Sequence, residues 1–289
     1  MGAKYSKADQ VARFADAQKQ KNARYLDIDT VFDGAPLKGM RVLVTGGEQN
    51  LGLNIVMEVV KNGGEAISAG RGSSKELDEF AAGAGGKVQI IKGIDVTSDE
   101  AMKTLVAEVD APLDLVINNA GYFYGPEEKV GVGGEEGHLN FEHQMLQINV
   151  CALGPLRISA ALYKAGKLKP DGQAKVIIIT SQAGSCEWRF TQNQPGGAMN
   201  YGHHMSRASC NIMGVLLSQE LKPENIPVVL LHPGFNRTSM TQKYAHIWDI
   251  EGAVEASVGA KRVLYEVLKA DMKSSGTFIN CEDGLLIPW

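Results

Sequence analysis

The pattern of apolar residues changes character near Met40. Beyond it, short β-branched runs alternate with longer stretches whose apolar residues recur at helical spacing. Arg41–Thr45 is one such run and ends in glycines. Leu51–Lys61 follows, with apolar positions at Leu51, Ile55, Val59 and Val60. The first pattern predicts a buried strand and the second an amphipathic helix. After Gly63-Gly64, the run Ala66–Ala69 predicts a second strand. Val88–Ile91, Leu113–Ile117, Val176–Thr180, Val228–Leu231 and Thr277–Asn280 predict five more, with helical stretches between most of them. Strands alternating with helices imply a parallel sheet covered on both faces, an α/β doubly wound architecture.

Residues 1–38 read differently. They are polar and mixed in charge, with a weak helical pattern at Val11, Phe14 and Ala15. Tyr25, Leu26, Ile28, Val31 and Phe32 then supply apolar anchors before Gly34 and Pro36. The expectation is a helical arm over 1–38 that docks on one domain spanning 39–289. The Gly-, Asn- and Gln-rich segments Gly131–Gly137 and Trp188–Gly197 are predicted to be the mobile loops.

Composition narrows the class. The chain has 289 residues, enough for a sizeable core without disulfides or a structural metal. A net charge of -4 argues against a nucleic-acid binder. Cys151, Cys186, Cys210 and Cys281 are far apart and form no CxxC pair, as expected of free thiols in a reducing, cytoplasmic setting. No apolar run appears long enough to span a membrane. Met1-Gly2-Ala3-Lys4-Tyr5-Ser6 fits the N-myristoylation pattern, so a membrane enters only if Gly2 is acylated.

The first strand runs into Thr45-Gly46-Gly47-Glu48-Gln49-Asn50-Leu51-Gly52, and a helix follows. A glycine-rich strand–turn–helix presents free backbone N–H groups and a helix N-terminus to a phosphate. The second strand ends at Ala69-Gly70-Arg71-Gly72-Ser73-Ser74, where an NAD site would carry an acid. A guanidinium beside hydroxyls suits a 2′-phosphate, which favours NADP(H).

Further strand-end motifs follow: Ile94-Asp95-Val96-Thr97, Asn118-Asn119-Ala120-Gly121, Asn149 before a helix, Ile179-Thr180-Ser181, and His232-Pro233-Gly234-Phe235-Asn236-Arg237-Thr238. In order and spacing they resemble the short-chain dehydrogenase/reductase family, over about Leu37 to Trp289. The C-terminal run from Ser275-Gly276-Thr277-Phe278 to Gly284–Trp289 is similar to the C-factor-like carbonyl-reductase branch. The resemblance implies a single Rossmann-type domain and carbonyl–alcohol interconversion by hydride transfer. It implies Gly46, Asn50 and Gly52 at the pyrophosphate, Asp95 and Val96 at the adenine, and Asn118 and Ala120 on the adenosine ribose side, with Glu48, Gln49, Leu51, Arg71, Ser73, Asn119 and Gly121 also expected to bind the cofactor. Pro233, Gly234, Asn236 and Thr238 fall on the nicotinamide side. Ser181 falls on the substrate oxygen and Asn149 in a proton relay. Asn50 stands where the family has its middle glycine.

The family's catalytic helix carries a tyrosine and a lysine four residues apart, on one face. Aligned through Ser206–Asn211, this chain has His203 and Arg207 in those places, and Tyr201 lies two residues earlier. Six residues of helix turn about 240°, so Tyr201 and Arg207 do not share a face. Three readings follow. His203 does the acid–base work; or Tyr201 is brought in by a distortion near Gly202; or oxidoreduction is lost and the fold is a nucleotide-binding scaffold or sensor. Tyr122, Phe123 and Tyr124 on one side, and Trp188 and Phe190 on the other, are expected to wall an apolar or aromatic substrate site. The family often pairs helices into homo-oligomers, though C-factor-like members can be monomeric.

Overall fold

The computed structural model describes residues 4–170 and 172–289. Gly2 and its acylation pattern lie outside the described residues. Helices α1 (Gln10–Gln20) and α2 (Ala23–Leu26) precede β1 (Arg41–Thr45). Then follow α3 (Asn50–Lys61), β2 (Glu65–Ala69), α4 (Lys75–Gly83), β3 (Val88–Ile91), α5 (Asp99–Glu108) and β4 (Leu115–Asn118). The second half comprises α6 (Phe141–Ile148), α7 (Gly154–Lys164), β5 (Lys175–Ile179), α8 (Cys186–Gln192), α9 (Tyr201–Glu220) and β6 (Val228–His232). The short β7 (Asn236–Arg237) and β8 (Val254–Glu255), then α10 (Ala256–Lys269) and β9 (Phe278–Asn280), complete the chain.

Seven strands form one sheet in the order β3-β2-β1-β4-β5-β6-β9, and every pairing is parallel. This is the doubly wound Rossmann-type sheet. The strand order reverses between β1 and β4, and there the carboxyl ends of the strands open a crevice. Two buried apolar clusters occupy the two faces. One gathers Leu105, Ile158, Leu162 and Leu217 under α5, α7 and α9. The other gathers Leu53, Val56, Val263 and Leu264 under α3 and α10. The strands are apolar on both sides because both faces are covered.

The arm packs through Ala17, Tyr25, Ile28 and Leu37, all buried. Its first described residues pair with the C-terminus: Ser6 N–H donates to Leu286 O at 2.8 Å and Leu286 N–H to Lys4 O at 3.1 Å.

Three expectations need correction. The Trp188–Gly197 segment begins as helix, because Ser185 caps α8 by accepting from Trp188 N–H. Ile94–Thr97 follows β3 by two residues instead of closing it. A helical stretch does reach membrane-span length and composition: Phe141–Lys164 is continuous through a π-turn at Asn149–Leu153. It packs against α9, and 44% of its most apolar window is buried in the protein.

Candidate active site

Thr45 locks the crevice at its base. Its Oγ1 accepts from the N–H groups of Asn119 and Ala120, each at 3.1 Å. Asn119 Nδ2 in turn donates to the carbonyls of Thr45 and Gly46 at 3.0 and 3.1 Å. The ends of β1 and β4 are thus tied together, and Asn119 serves the turn's shape. A Cβ on Gly52 would sit 2.1 Å from Gly46 O, so only glycine allows α3 to start here. The N-terminus of α3 has no side-chain cap, which leaves backbone donors free for an anion. Asn50 has φ of 50°, a left-handed conformation that Asn tolerates. Its amide donates to Ser239 Oγ at 2.9 Å, bridging the turn to the segment beyond Thr238.

A cleft of about 580 Å³ runs from this turn across the strand ends. Gly46, Glu48, Gln49, Asn50, Leu51 and Gly52 line it, as do Arg71, Asp95 and Val96. So do Asn119, Ala120, Gly121, Pro233, Gly234, Asn236 and Thr238. At its far end stand Ser181, His203 and Arg207. Hydrogen bonds from the Thr97 N–H and hydroxyl, with Arg71 and Arg157 nearby, hold the Asp95 carboxyl below its ordinary range against a modest burial penalty.

Four expected residues, Asn118 among them, are not in the cleft wall. Ser73 turns its hydroxyl to Asp78 Oδ1 at 2.7 Å. Asn149 Oδ1 is taken by Arg157 at 2.7 Å, so this side chain faces away from the cleft. Tyr201 opens α9 outside the wall, as the helix rotation from Arg207 requires. Of the five aromatic residues expected at the substrate, two line the cleft. Tyr122 and Phe123 line the cleft, joined by Tyr244. Tyr124 instead stacks on His143 at 4.2 Å. Trp188 is buried outside the cleft wall, and Phe190 is 90% exposed.

His203 and Arg207 share one face of α9. The Phe123 ring meets the His203 imidazole edge-on at 4.8 Å between centroids. Nδ1 of His203 is buried without a hydrogen-bond partner. Burial, then the positive Arg207 and further cationic neighbours, push the imidazole well below its ordinary pKa, so it is neutral at pH 7. His204, fixed through Nδ1 to Ala183 O at 3.1 Å, is lowered to about 4 by burial and Arg189. Arg207 is buried; its Nη1 donates to Ile179 O at 3.3 Å and its Nε has no partner. Ser181 Oγ accepts from Ala183 N–H at 3.2 Å, which leaves its hydroxyl proton free for a substrate oxygen.

Two residues that hold this geometry carry no sequence signal. Glu128, only 2% exposed, accepts from Gly202 N–H at 2.7 Å and from Gln144 Nε2 at 2.8 Å. It caps α9 from a distant loop. Lys243 places its ammonium 4.6 Å from the Phe123 ring centroid. Among the described residues no cluster of three His, Cys, Asp or Glu side chains has a metal-binding arrangement.

With this site in view, comparison with known proteins defines the class. A family model described as short chain dehydrogenase matches residues 40–247, and the chain belongs to that family. The chain is 29% identical over 251 residues to 1-hydroxy-2-glutathionyl-2-methyl-3-butene dehydrogenase of Rhodococcus sp. strain AD45, covering 86% of this chain and 99% of that relative. It is 29% identical over 182 residues to C-signal of Myxococcus xanthus, covering 62% of this chain and 93% of that one. Carbonyl reductase Sniffer of D. melanogaster has the same fold, with a TM-score of 0.71 at 24% identity, over 87% of this chain and 100% of that one. The NADPH-bound carbonyl reductase from chicken fatty liver gives a TM-score of 0.67 at 23% identity over the same shares. The class is that of carbonyl/alcohol oxidoreductases in general.

Proposed function

We propose that this chain is an NADP(H)-dependent oxidoreductase that interconverts a carbonyl and an alcohol, with His203 and Arg207 in the places of the family's tyrosine and lysine. One observation carries this reading: a neutral imidazole, a guanidinium and a free serine hydroxyl converge at one end of a cleft whose other end is an uncapped glycine turn. The glycine turn fits a dinucleotide, because Gly52 lets α3 start close against Gly46 and the open N-terminus of α3 leaves backbone donors free. Bound there, the nicotinamide supplies or accepts the hydride.

The protein's own groups do the rest. Ser181 donates a hydrogen bond to the substrate oxygen and so polarises it. Arg207 holds the ribose hydroxyls and places positive charge beside the reacting oxygen. In alcohol oxidation, neutral His203 takes the hydroxyl proton. In reduction it passes a proton on, donating from one ring nitrogen and accepting at the other. Tyr122, Phe123 and Tyr244 offer aromatic surface to an apolar substrate. Arg71 meets the 2′-phosphate, a preference consistent with the NADPH-bound relative.

Two observations favour second readings. Glu48 lies against Gly70, where a Cβ would be 2.3 Å from its Oε2, and that oxygen has no partner. An acid at the end of β2 is the device that holds a free ribose hydroxyl, which favours NAD. The unpartnered Nδ1 of His203 leaves no built proton path, which favours a silent nucleotide-binding protein. A titration with NADPH and NADH, followed by turnover over a carbonyl panel, separates the three. The proposal expects NADPH to bind more tightly, and turnover to fall at least about 100-fold in His203→Ala with nucleotide affinity kept. Activity kept in His203→Ala but lost in Tyr201→Phe would overturn the assignment. Free thiols at Cys151, Cys186, Cys210 and Cys281 fit a reducing cytoplasm.

A further inference from the structure

The N-terminal arm reaches the wall of the cleft through Arg13 and through Ala8, whose carbonyl accepts from Gln192 Nε2 at 2.6 Å. Arg13 on α1 is buried, and Glu282, just beyond β9, is fully buried. Arg13 Nη2 lies 3.2 Å from Glu282 Oε2. The same Nη2 donates to Gln182 Oε1 at 2.9 Å, and the guanidinium sits 5.1 Å above the Trp188 ring. Glu282 Oε1 accepts from Phe235 N–H at 3.0 Å and from Gln10 Nε2 at 2.9 Å. Gln182 follows Ser181, and Phe235 follows Pro233-Gly234. One buried ion pair therefore ties the arm to both loops at the reactive end of the cleft. The contact is close: a Cβ on Gly234 would lie 2.6 Å from Glu282 Cγ.

Stability alone does not explain this arrangement. Replacing a buried ion pair by apolar residues of similar size is commonly neutral or stabilising. Apolar residues cannot, however, accept from Phe235 N–H while donating to Gln182. The carboxylate is kept charged: burial opposes ionisation, yet Arg13 and Arg262 bring Glu282 down to about 2. The arm also lies outside residues 40–247, the part matched by the family model.

We propose that Arg13 and Glu282 are positioning residues. The docked arm sets the Ser181–Ala183 and Pro233–Asn236 segments, and the cleft reaches its binding geometry only with the arm in place. Their role in nucleotide binding rests on the reading of the cleft given above; the loop order does not.

The test is amide hydrogen exchange on the full chain without nucleotide. It compares wild type, Arg13→Met, and the double variant Arg13→Met/Glu282→Leu. Exchange at Gln182–Ser185 and Gly234–Asn236 is expected to rise at least tenfold in both variants, with β1 and β5 unchanged. The double variant, which removes both charges of the pair, is expected to recover part of the melting temperature lost in Arg13→Met and still show open loops. Loops that regain protection together with melting temperature would make the pair merely structural and overturn the proposal. Unchanged loops in a folded Arg13→Met would do the same, and if that variant does not fold, the double variant decides. Calorimetric titration with NADPH is then expected to show at least tenfold weaker binding in the double variant. Equal affinity would overturn the proposed effect on binding. A wild-type chain that binds neither NADPH nor NADH would instead sink the nucleotide reading, and the exchange result would still decide whether the arm orders the loops.

Discussion

Gly121 and Gly52 show how much a single missing Cβ can matter, and in two different ways. A Cβ on Gly121 would come within 3.0 Å of Arg207 Nη2, the far end of a long side chain. A Cβ on Gly52 would meet the backbone carbonyl of Gly46 at 2.1 Å, which cannot move without breaking the turn. Gly121→Ala is therefore expected to weaken nucleotide binding several-fold with little change in melting temperature. Gly52→Ala is expected to abolish binding and to cost about 1–3 kcal/mol in stability, as overpacking does. Paired calorimetric and thermal measurements check both. At this scale the sequence was informative about chemistry and poor about direction. His203 and Arg207 were legible through helix geometry, because a four-residue spacing fixes a shared face. Ser73 and Asn149 were not, because what a short polar side chain bonds depends on neighbours such as Asp78 and Arg157.

The elements were largely legible. β1, β2 and β3 lie within about one residue of their apolar runs, since strands buried on both faces read as continuous apolar stretches. What anchors α9 was not. Its N-terminus begins after Asn200, which sits in the left-handed region and provides no side-chain cap. Glu128 supplies the missing acceptor to Gly202 N–H. Gly202 itself allows α6 to approach, since a Cβ there would sit 2.3 Å from Gln147 Nε2. Glu128→Ala leaves buried donors unpaired and removes a cap, so a loss of about 2 kcal/mol is expected in denaturant unfolding. The first turn of α9 carries His203, so turnover should fall further than the folded fraction does. Glu128→Gln keeps one acceptor oxygen and should lose less of both.

Across the whole molecule, burial of histidines sets a pH response. His232 is buried, with neither ring nitrogen partnered; burial, with Arg13 and Arg207 near, brings it to about 4 despite the opposing pull of Glu282. His204 is also brought to about 4. The unfolded chain titrates near the ordinary ~6.5. Below that pH the unfolded state binds more protons than the native one, so stability falls as pH drops from about 6.5 to about 4. The slope is at most about 1.4 kcal/mol per pH unit for each fully buried group. Glu282, held at about 2, adds a loss of the same sign below its ordinary carboxylate range. Urea melts between pH 7 and 4 should show this fall, and His232→Asn should reduce its slope. A slope unchanged in that variant would exclude His232 as a source.

The sequence by itself determined the parallel sheet, the glycine turn that opens it and the shared helix face of His203 and Arg207. Each depends on periodicity or spacing along one stretch of chain, and local geometry converts such spacing directly into direction. The tertiary structure alone decided which polar groups meet. Arg13 and Glu282, far apart in the chain, close one ion pair behind the cleft. Glu48 turned out to lie against Gly70 at the end of a neighbouring strand. Trp188, expected at the substrate, went under the arm's arginine instead. Pairings between distant segments follow from how the layers pack, and no periodicity along the chain records them.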